Sequence, residues 1–180
     1  MYYYCLFCMQ RRVPVIRTIL YSYLPAARII SPQWVQLKWV KGVSFEEEHP
    51  LFPGYLFLYT EEPIADFRSI MTIDGVVRFL GVRDDNYQLR HDDLKFAMML
   101  AACDGRVGNF KVYQVGDRIH LAKGVLAGFD GKIVKVDRNR RRLQVEFTFD
   151  NVIRKITVGY EMLDDGPETM INLPLLKSDV

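Results

Sequence analysis

Pro50-Leu-Phe-Pro-Gly-Tyr-Leu-Phe-Leu-Tyr59 is the stretch whose reading decides the fold. Four of its ten residues are aromatic: Phe52, Tyr55, Phe57 and Tyr59. A strand sends alternate side chains to opposite faces, so Tyr55, Phe57 and Tyr59 share one face and Leu56 and Leu58 the other. With both faces apolar, the segment predicts a strand in the middle of a sheet with a cover on each side. One cover is expected from the protein's own helices. The other is expected from a partner, although the pattern also fits a strand buried wholly by its own chain. Pro53-Gly54 predicts a turn or bulge just before the strand, because proline fixes φ and glycine permits positive φ. Glycine there also lets a second backbone come close.

Toward the N-terminus, residues 2–8 read as a first strand. Val13, Ile16, Leu20 and Tyr23 then recur at helical spacing, with Arg11, Arg12, Arg17 and Ser22 off that stripe. Pro14 fits the first turn of this helix, where its missing N–H does no harm, and Pro25 ends it. Residues 35–42 alternate as a second strand, and Gly42 permits a turn toward Glu46, Glu47 and Glu48: a hairpin arm with a charged tip. Beyond the central strand, Pro63 opens a helix with Ile64, Phe67 and Ile70 or Met71 inward. Asp74-Gly75 turns into a strand over 76–81. Asp92 and Asp93 then suit the first turn of a third helix, where acids complement the helix dipole, with Leu94, Ala97, Met98 and Ala101 as its buried face. The order β-α-β-β-β-α-β-α predicts an α+β sandwich with a mainly antiparallel sheet.

The texture changes after Asp104-Gly-Arg-Val-Gly-Asn, which reads as a linker over 104–112. Short strands follow at 117–121, 131–137, 143–149 and 152–158. In the third, Leu143, Val145, Phe147 and Phe149 alternate with Gln144, Glu146 and Thr148. This predicts a small all-β barrel over 113–163, near the lower size limit for a self-supporting core. A polar tail spans 164–180. Domain one is then 1–103.

Net charge is only +2, but it is unevenly spread. Residues 1–108 carry 12 Lys/Arg and 12 Asp/Glu, whereas residues 118–155 carry ten Lys/Arg against Asp130, Asp137, Glu146 and Asp150. An excess confined to the barrel points to a polyanionic partner for that part. Cys5 and Cys8 form C-x-x-C, a spacing that can mark a redox pair or half a zinc site. On a strand, however, positions three apart face opposite ways, so these sulfurs do not meet. Cys103 is alone and His49, His91 and His120 are scattered. Buried structural thiols are expected, with no metal and no cofactor. No phosphate-cradling G-x-x-x-x-G-K loop or catalytic constellation appears, so the chain is not expected to be an enzyme. It has no apolar run fit to cross a membrane and no signal-peptide pattern, so a cytoplasmic monomer with no membrane contact is expected.

Two stretches carry a resemblance. Pro50–Phe57, after a first strand containing Tyr-Tyr-Cys-Leu-Phe-Cys, resembles the N-terminal (NGN) domain of NusG-type transcription elongation factors. Gly124-Val-Leu-Ala-Gly-Phe-Asp-Gly-Lys-Ile-Val-Lys-Val-Asp137 resembles the KOW motif of the same family's SH3-like C-terminal barrel. The matches occur in the family's order and cover roughly residues 2–163. Gly124, Gly128 and Gly131 would serve the turns of that motif around Phe129.

The resemblance implies that the NGN domain docks on the clamp helices of the largest RNA polymerase subunit through an apolar depression. The matching residues are Phe7, Tyr55, Phe57 and Phe79. Rigid aromatics give much contact area for little ordering entropy, which suits a coiled-coil tip. The same rings also fit an ordinary core. Arg11, Arg12 and Arg17 match a region that touches upstream or non-template DNA in specialised paralogues, and long basic side chains suffice for phosphate contacts.

The barrel departs from the housekeeping pattern with Arg138-Asn-Arg-Arg-Arg142, where Arg138, Arg140, Arg141 and Arg142 crowd one turn. Lys123, Lys132, Lys135, Arg154 and Lys155 lie nearby in sequence. Clustered arginines repel unless an anion is present, and RNA supplies phosphates and stackable bases. In this respect the chain resembles the LoaP group of antiterminators, which implies a nascent RNA hairpin as the barrel's partner. The alternative is a general coupling factor whose barrel binds a ribosomal protein or a termination factor.

Overall fold

The computed structural model describes residues 1–81, 86–115, 118–121 and 132–163. The chain opens with β1 (Tyr2–Cys8), a 3-10 turn and α1 (Val13–Tyr23), followed by β2 (Arg28–Ile30), β3 (Gln33–Val40), β4 (Val43–Pro50) and β5 (Tyr55–Thr60). α2 (Phe67–Met71), β6 (Val76–Phe79) and α3 (His91–Ala102) complete the first part. The remainder is β7 (Arg106–Val107), β8 (Phe110–Val115), β9 (Arg118–Leu121), β10 (Lys132–Asp137), β11 (Arg142–Phe149) and β12 (Val152–Met162). The fold is the α+β arrangement followed by a curled all-β sheet, as the patterning predicts. Among the described residues no helix is long and apolar enough to cross a membrane.

The first sheet has the order β2-β5-β1-β6, with β5 antiparallel to both its neighbours. All six residues of β5 are buried, and the two parities part as predicted. Leu56 and Leu58 join Leu6, Ile16, Leu20, Ile70 and Phe79 on one face, under α1 and α2. Tyr55, Phe57 and Tyr59 join Cys5, Phe96 and Leu100 on the other, under α3. The two sulfurs of C-x-x-C are therefore on opposite faces of the sheet, and both thiols are buried and free. Burial pushes Cys8 up to about 12 and Cys5 well above its ordinary range.

The turn before β5 uses its glycine as expected. Gly54 has φ +88°, and a Cβ there would lie 2.6 Å from the Cys8 carbonyl oxygen. The two backbones touch because the Cys8 amide donates to Gly54 O at 2.7 Å. This bond fixes β1 against the approach to the central strand.

Several details differ from the patterning. The hairpin arm turns at Lys41-Gly42 (φ 52° and 82°), and the three glutamates lie along β4 rather than at a tip. Glu46 and Glu48 bind Arg106 of β7, Glu47 binds Lys38, and backbone pairing makes the arm and β7 a separate three-stranded sheet of order β4-β3-β7. Cross-strand charge pairing accompanies this arrangement, and spacing within one strand does not reveal it. α2 starts late because Asp66 caps it, its carboxylate accepting from Ser69 N at 3.0 Å. On α3 the buried residues are Phe96, Ala97 and Leu100, while the predicted Met98 is half exposed. Tyr23 at the end of the α1 stripe is also exposed. Residues 104–112, composed like a linker, carry β7 and the start of β8, whose Phe110 and Val112 are buried. The glycines of the KOW-like segment, with Phe129 and Lys123, lie outside the described residues.

The second sheet has the order β10-β11-β12-β8-β9, antiparallel except where β8 runs parallel to β12. Its inner residues Leu143, Val145, Phe147, Phe149, Ile156 and Val158 do not close on themselves. They belong to the same core as Tyr55, Phe57 and Phe96.

Gly54→Ala should destabilise the fold by about 1–3 kcal/mol, because it combines positive φ with a steric conflict at Cys8 O. A lowered urea midpoint with unchanged slope is the expected outcome.

Candidate functional site: an aromatic hollow and its occupant

Three of the four aromatic contact residues expected from the resemblance come together. Phe7 of β1 pairs in register with Tyr55 of β5, and Cys5 with Phe57. The Phe7 and Tyr55 rings are 4.9 Å apart, and Phe52 packs edge-on to Tyr55 at 4.9 Å. Phe79 does not join them. It pairs with Leu6, one residue out of phase with Phe7, and so lies on the opposite face against Phe67 and Tyr87. The one-residue offset in strand parity removes it from the hollow.

The hollow is not open. Tyr55 is 5% exposed and Phe57 is fully buried. α3 covers part of the face with Phe96, and β11 covers the rest with Phe147 and Phe149. The Phe149 ring lies 5.5 Å from Phe52, 6.2 Å from Tyr55, 5.7 Å from Phe57 and 5.4 Å from Phe96. Phe147 lies 5.5 Å from Phe52 and 5.4 Å from Phe96. The expectation of a cavity awaiting a foreign coiled coil is thus corrected: the chain's own barrel fills it. Burying two phenylalanines stabilises this closure by several kcal/mol, at about 1.5–3 kcal/mol each.

Polar contacts surround the aromatic plug. Asp150, at the β11–β12 turn, accepts from Arg78 Nη2 at 2.5 Å and from Gly81 N at 3.3 Å. The Asp150 amide donates to the Asp93 carboxylate at 3.1 and 3.2 Å. Burial raises the Asp93 pKa, and the Asp150 amide draws it back. Arg154 places its guanidinium 5.4 Å from the Tyr55 ring centre, and Arg142 does the same over Trp34. Gly159 meets Trp34 so closely that a Cβ would stand 2.9 Å from the indole.

The predicted RNA-binding residues therefore divide. Arg138, Arg140 and Arg141 are exposed at the β10–β11 turn, where Arg140 N donates to Asp137 Oδ1 at 3.0 Å. Lys132, Lys135 and Lys155 are exposed on one face of the barrel, with Lys132, Glu146 and Lys155 in one cross-strand row. Arg142 and Arg154 are half-buried against the rings of the first part, and their Nε atoms are buried without a hydrogen-bond partner. Of the DNA-contact candidates, Arg11 and Arg17 are exposed, whereas Arg12 is half-buried and pairs with Asp74 at 2.7 Å. Arg11 also lines an open cavity of about 730 Å³ with Met9, Gln10, Gln33 and Phe52.

Sequence reasoning missed Phe52, Phe96, Phe147, Phe149, Arg78 and Asp150 as members of the site. One signal was available. Arg154 occupies the apolar parity of β12, shared with Ile156 and Val158, so a cation on that face required a partner outside a private barrel core.

Comparison with known proteins adds family context. Residues 1–98 match the family model NusG, described as transcription termination factor nusG. The transcription termination/antitermination protein NusG of Rickettsia typhi is 24% identical over 124 residues, 68% of this chain and 65% of its own length. The NusG of Thermus thermophilus is 24% identical over 106 residues, 54% of this chain and 58% of its own length. The chain thus matches less than two thirds of these relatives. The solved structure reported as "Domain interaction in Thermotoga maritima NusG" superposes with a TM-score of 0.51 at 15% identity, covering 88% of this chain and 93% of that one; it shares the fold.

Accessibility should order the thiols. Cys103 is half-buried, and burial raises its pKa less strongly than that of Cys5. Iodoacetamide at neutral pH should label Cys103 first and leave Cys5 and Cys8 unmodified until denaturant is added, as read by peptide mass spectrometry.

Proposed function

This chain belongs to the NusG family, and from that premise we propose that it is a non-catalytic transcription termination/antitermination factor that docks on RNA polymerase. The docking surface is the hollow of Phe7, Phe52, Tyr55 and Phe57, and the partner is the pair of clamp helices on the largest polymerase subunit. The observation that carries this reading is the hollow itself. It is a cluster of rigid rings on one sheet face, and the inner face of β11 already occupies it as a ligand would. Two ligands for one site exclude each other, so polymerase binds the fraction of molecules whose barrel has moved away. Binding of the clamp then favours the elongating state of the enzyme.

The barrel's basic side is proposed to hold nascent RNA, in the manner of the LoaP group. Arg138, Arg140, Arg141, Lys132, Lys135 and Lys155 are exposed and offer phosphate and base contacts. RNA capture raises the local concentration of the factor at its polymerase. Arg11 and Arg17 are candidate contacts to upstream or non-template DNA. A second reading has one observation in its favour. Val134, Val152 and Ile153 are exposed on the barrel, Ile153 by 63%, which suits a protein partner such as a ribosomal protein or termination factor.

Two experiments test these assignments. Phe149→Ala should loosen the plug and tighten co-purification with core polymerase, by about tenfold for each 1.4 kcal/mol of closure lost. Adding Tyr55→Ala to that variant should abolish it. Unchanged binding in both would reject the docking surface. Reversing charge at Arg138, Arg140 and Arg141 in the full chain should remove gel-shift affinity for an RNA hairpin and flatten its salt dependence. An unaltered shift would favour the protein partner.

A further inference from the structure

We propose that Arg78 is a recognition residue for a carboxylate on the polymerase segment that enters the hollow, so that the end of β11 with its turn, Phe147-Thr-Phe149-Asp150, is an internal imitation of that segment. The inference rests on the docking surface proposed above and specifies the chemistry of its partner.

Two cations lie on the hollow's side of the first sheet. Arg28 pairs in register with Tyr59, and Arg78 with Phe7. Arg28 is satisfied from within the first part: its Nη2 donates to Asp104 Oδ1 at 2.8 Å and to Ala101 O at 2.6 Å, and its guanidinium lies over the Tyr59 ring. Arg78 is satisfied from the barrel. Its Nη2 donates to Asp150 Oδ2 at 2.5 Å, while its Nη1 makes a long contact of 3.5 Å to Phe79 O. The Asp150 side chain is 12% exposed and that of Arg78 46%, so the carboxylate is held out of water while the guanidinium stays half open to it. Gly81 N, at the end of the same strand, donates to the second carboxylate oxygen at 3.3 Å. A guanidinium and a backbone amide thus converge on one carboxylate at the rim of an aromatic pocket.

When the barrel leaves, this pair of donors and the pocket are released together. A competitor that displaces the barrel has to replace both kinds of contact. The side chains it needs are read from the occupant: two bulky apolar groups for Phe52, Tyr55, Phe57 and Phe96, and an acid adjacent to them for Arg78 and Gly81 N. A helix supplies this as two apolar residues three or four positions apart with Asp or Glu one turn away on the same side.

Charge substitution separates a clasp from a recognition residue. Asp150 has φ 55°, which glycine adopts without strain, so Asp150→Gly removes the carboxylate while preserving the turn. Arg78→Glu breaks the same ion pair from the other side. Both should raise amide exchange over 147–149 in the full chain. Affinity for core RNA polymerase, measured by biolayer interferometry, should then diverge. Asp150→Gly should bind about tenfold more tightly than wild type, and Arg78→Glu at least about tenfold more weakly than Asp150→Gly. Arg78→Glu binding within about threefold of Asp150→Gly would overturn the proposal and leave Arg78 a clasp residue alone. Should neither substitution change exchange, equal affinity of Arg78→Glu and wild type would overturn it as well. Failure of the docking reading looks different: wild type and Asp150→Gly would then bind no better than a Tyr55→Ala control.

Discussion

The contact on which this structure depends is the Phe149 ring set among Phe52, Tyr55, Phe57 and Phe96. It joins two parts of the chain that the sequence patterns as separate units. The first sheet supplies a floor of rings because β5 has both parities apolar, and only one of them is covered entirely by nearby helices. The second sheet supplies a plug because β11 ends in Phe147 and Phe149 on the parity that faces inward. Neither surface is complete alone. A curled sheet of this size has little apolar area to bury, and sharing a core with its neighbour relieves that shortage.

The polar groups around the plug give the closure its orientation. Aromatic contact is broad and tolerant, and by itself it would allow the barrel several poses. Asp150 ties the β11–β12 turn to Arg78, Gly81 and Asp93, while Arg142 and Arg154 rest on Trp34 and Tyr55. Gly159 lets β12 approach Trp34 at a distance no side chain would permit. These contacts lie at different places on the barrel, so together they fix one arrangement. They are also the kind that water or another ion can replace. An apolar plug held in register by exchangeable ionic and cation–π contacts is suited to being displaced by a competing ligand.

Much of the first part was legible because its signals are local. The parity of β5, the Pro53-Gly54 turn, the α1 stripe over Val13, Ile16 and Leu20, and the opposed sulfurs of Cys5 and Cys8 follow from period-two and period-3.6 geometry. The failures have one cause. The resemblance places Phe79 beside Phe7, but pairing register decides which face a residue takes, and Arg78 stands opposite Phe7 instead. On α3 the sequence points to Met98 rather than Phe96 as buried, whereas Phe96 is the residue that packs against Phe147 and Phe149 of the barrel. Arg142 and Arg154 were grouped with their neighbours as one cationic cluster, but tertiary packing turns these two toward Trp34 and Tyr55.

The sequence by itself determined the longer strands and helices, the family resemblance, the ring-lined face of β5 and the basic excess of the barrel. Each of these is written in neighbouring residues, or in residues a fixed number of positions apart. Only the tertiary structure decided what covers the rings and which cations are left to face solvent. Those outcomes depend on contacts between residues far apart in the chain, such as Arg78 with Asp150 and Tyr55 with Phe149. No local period encodes them; they follow from how two incompletely covered apolar surfaces of one chain meet.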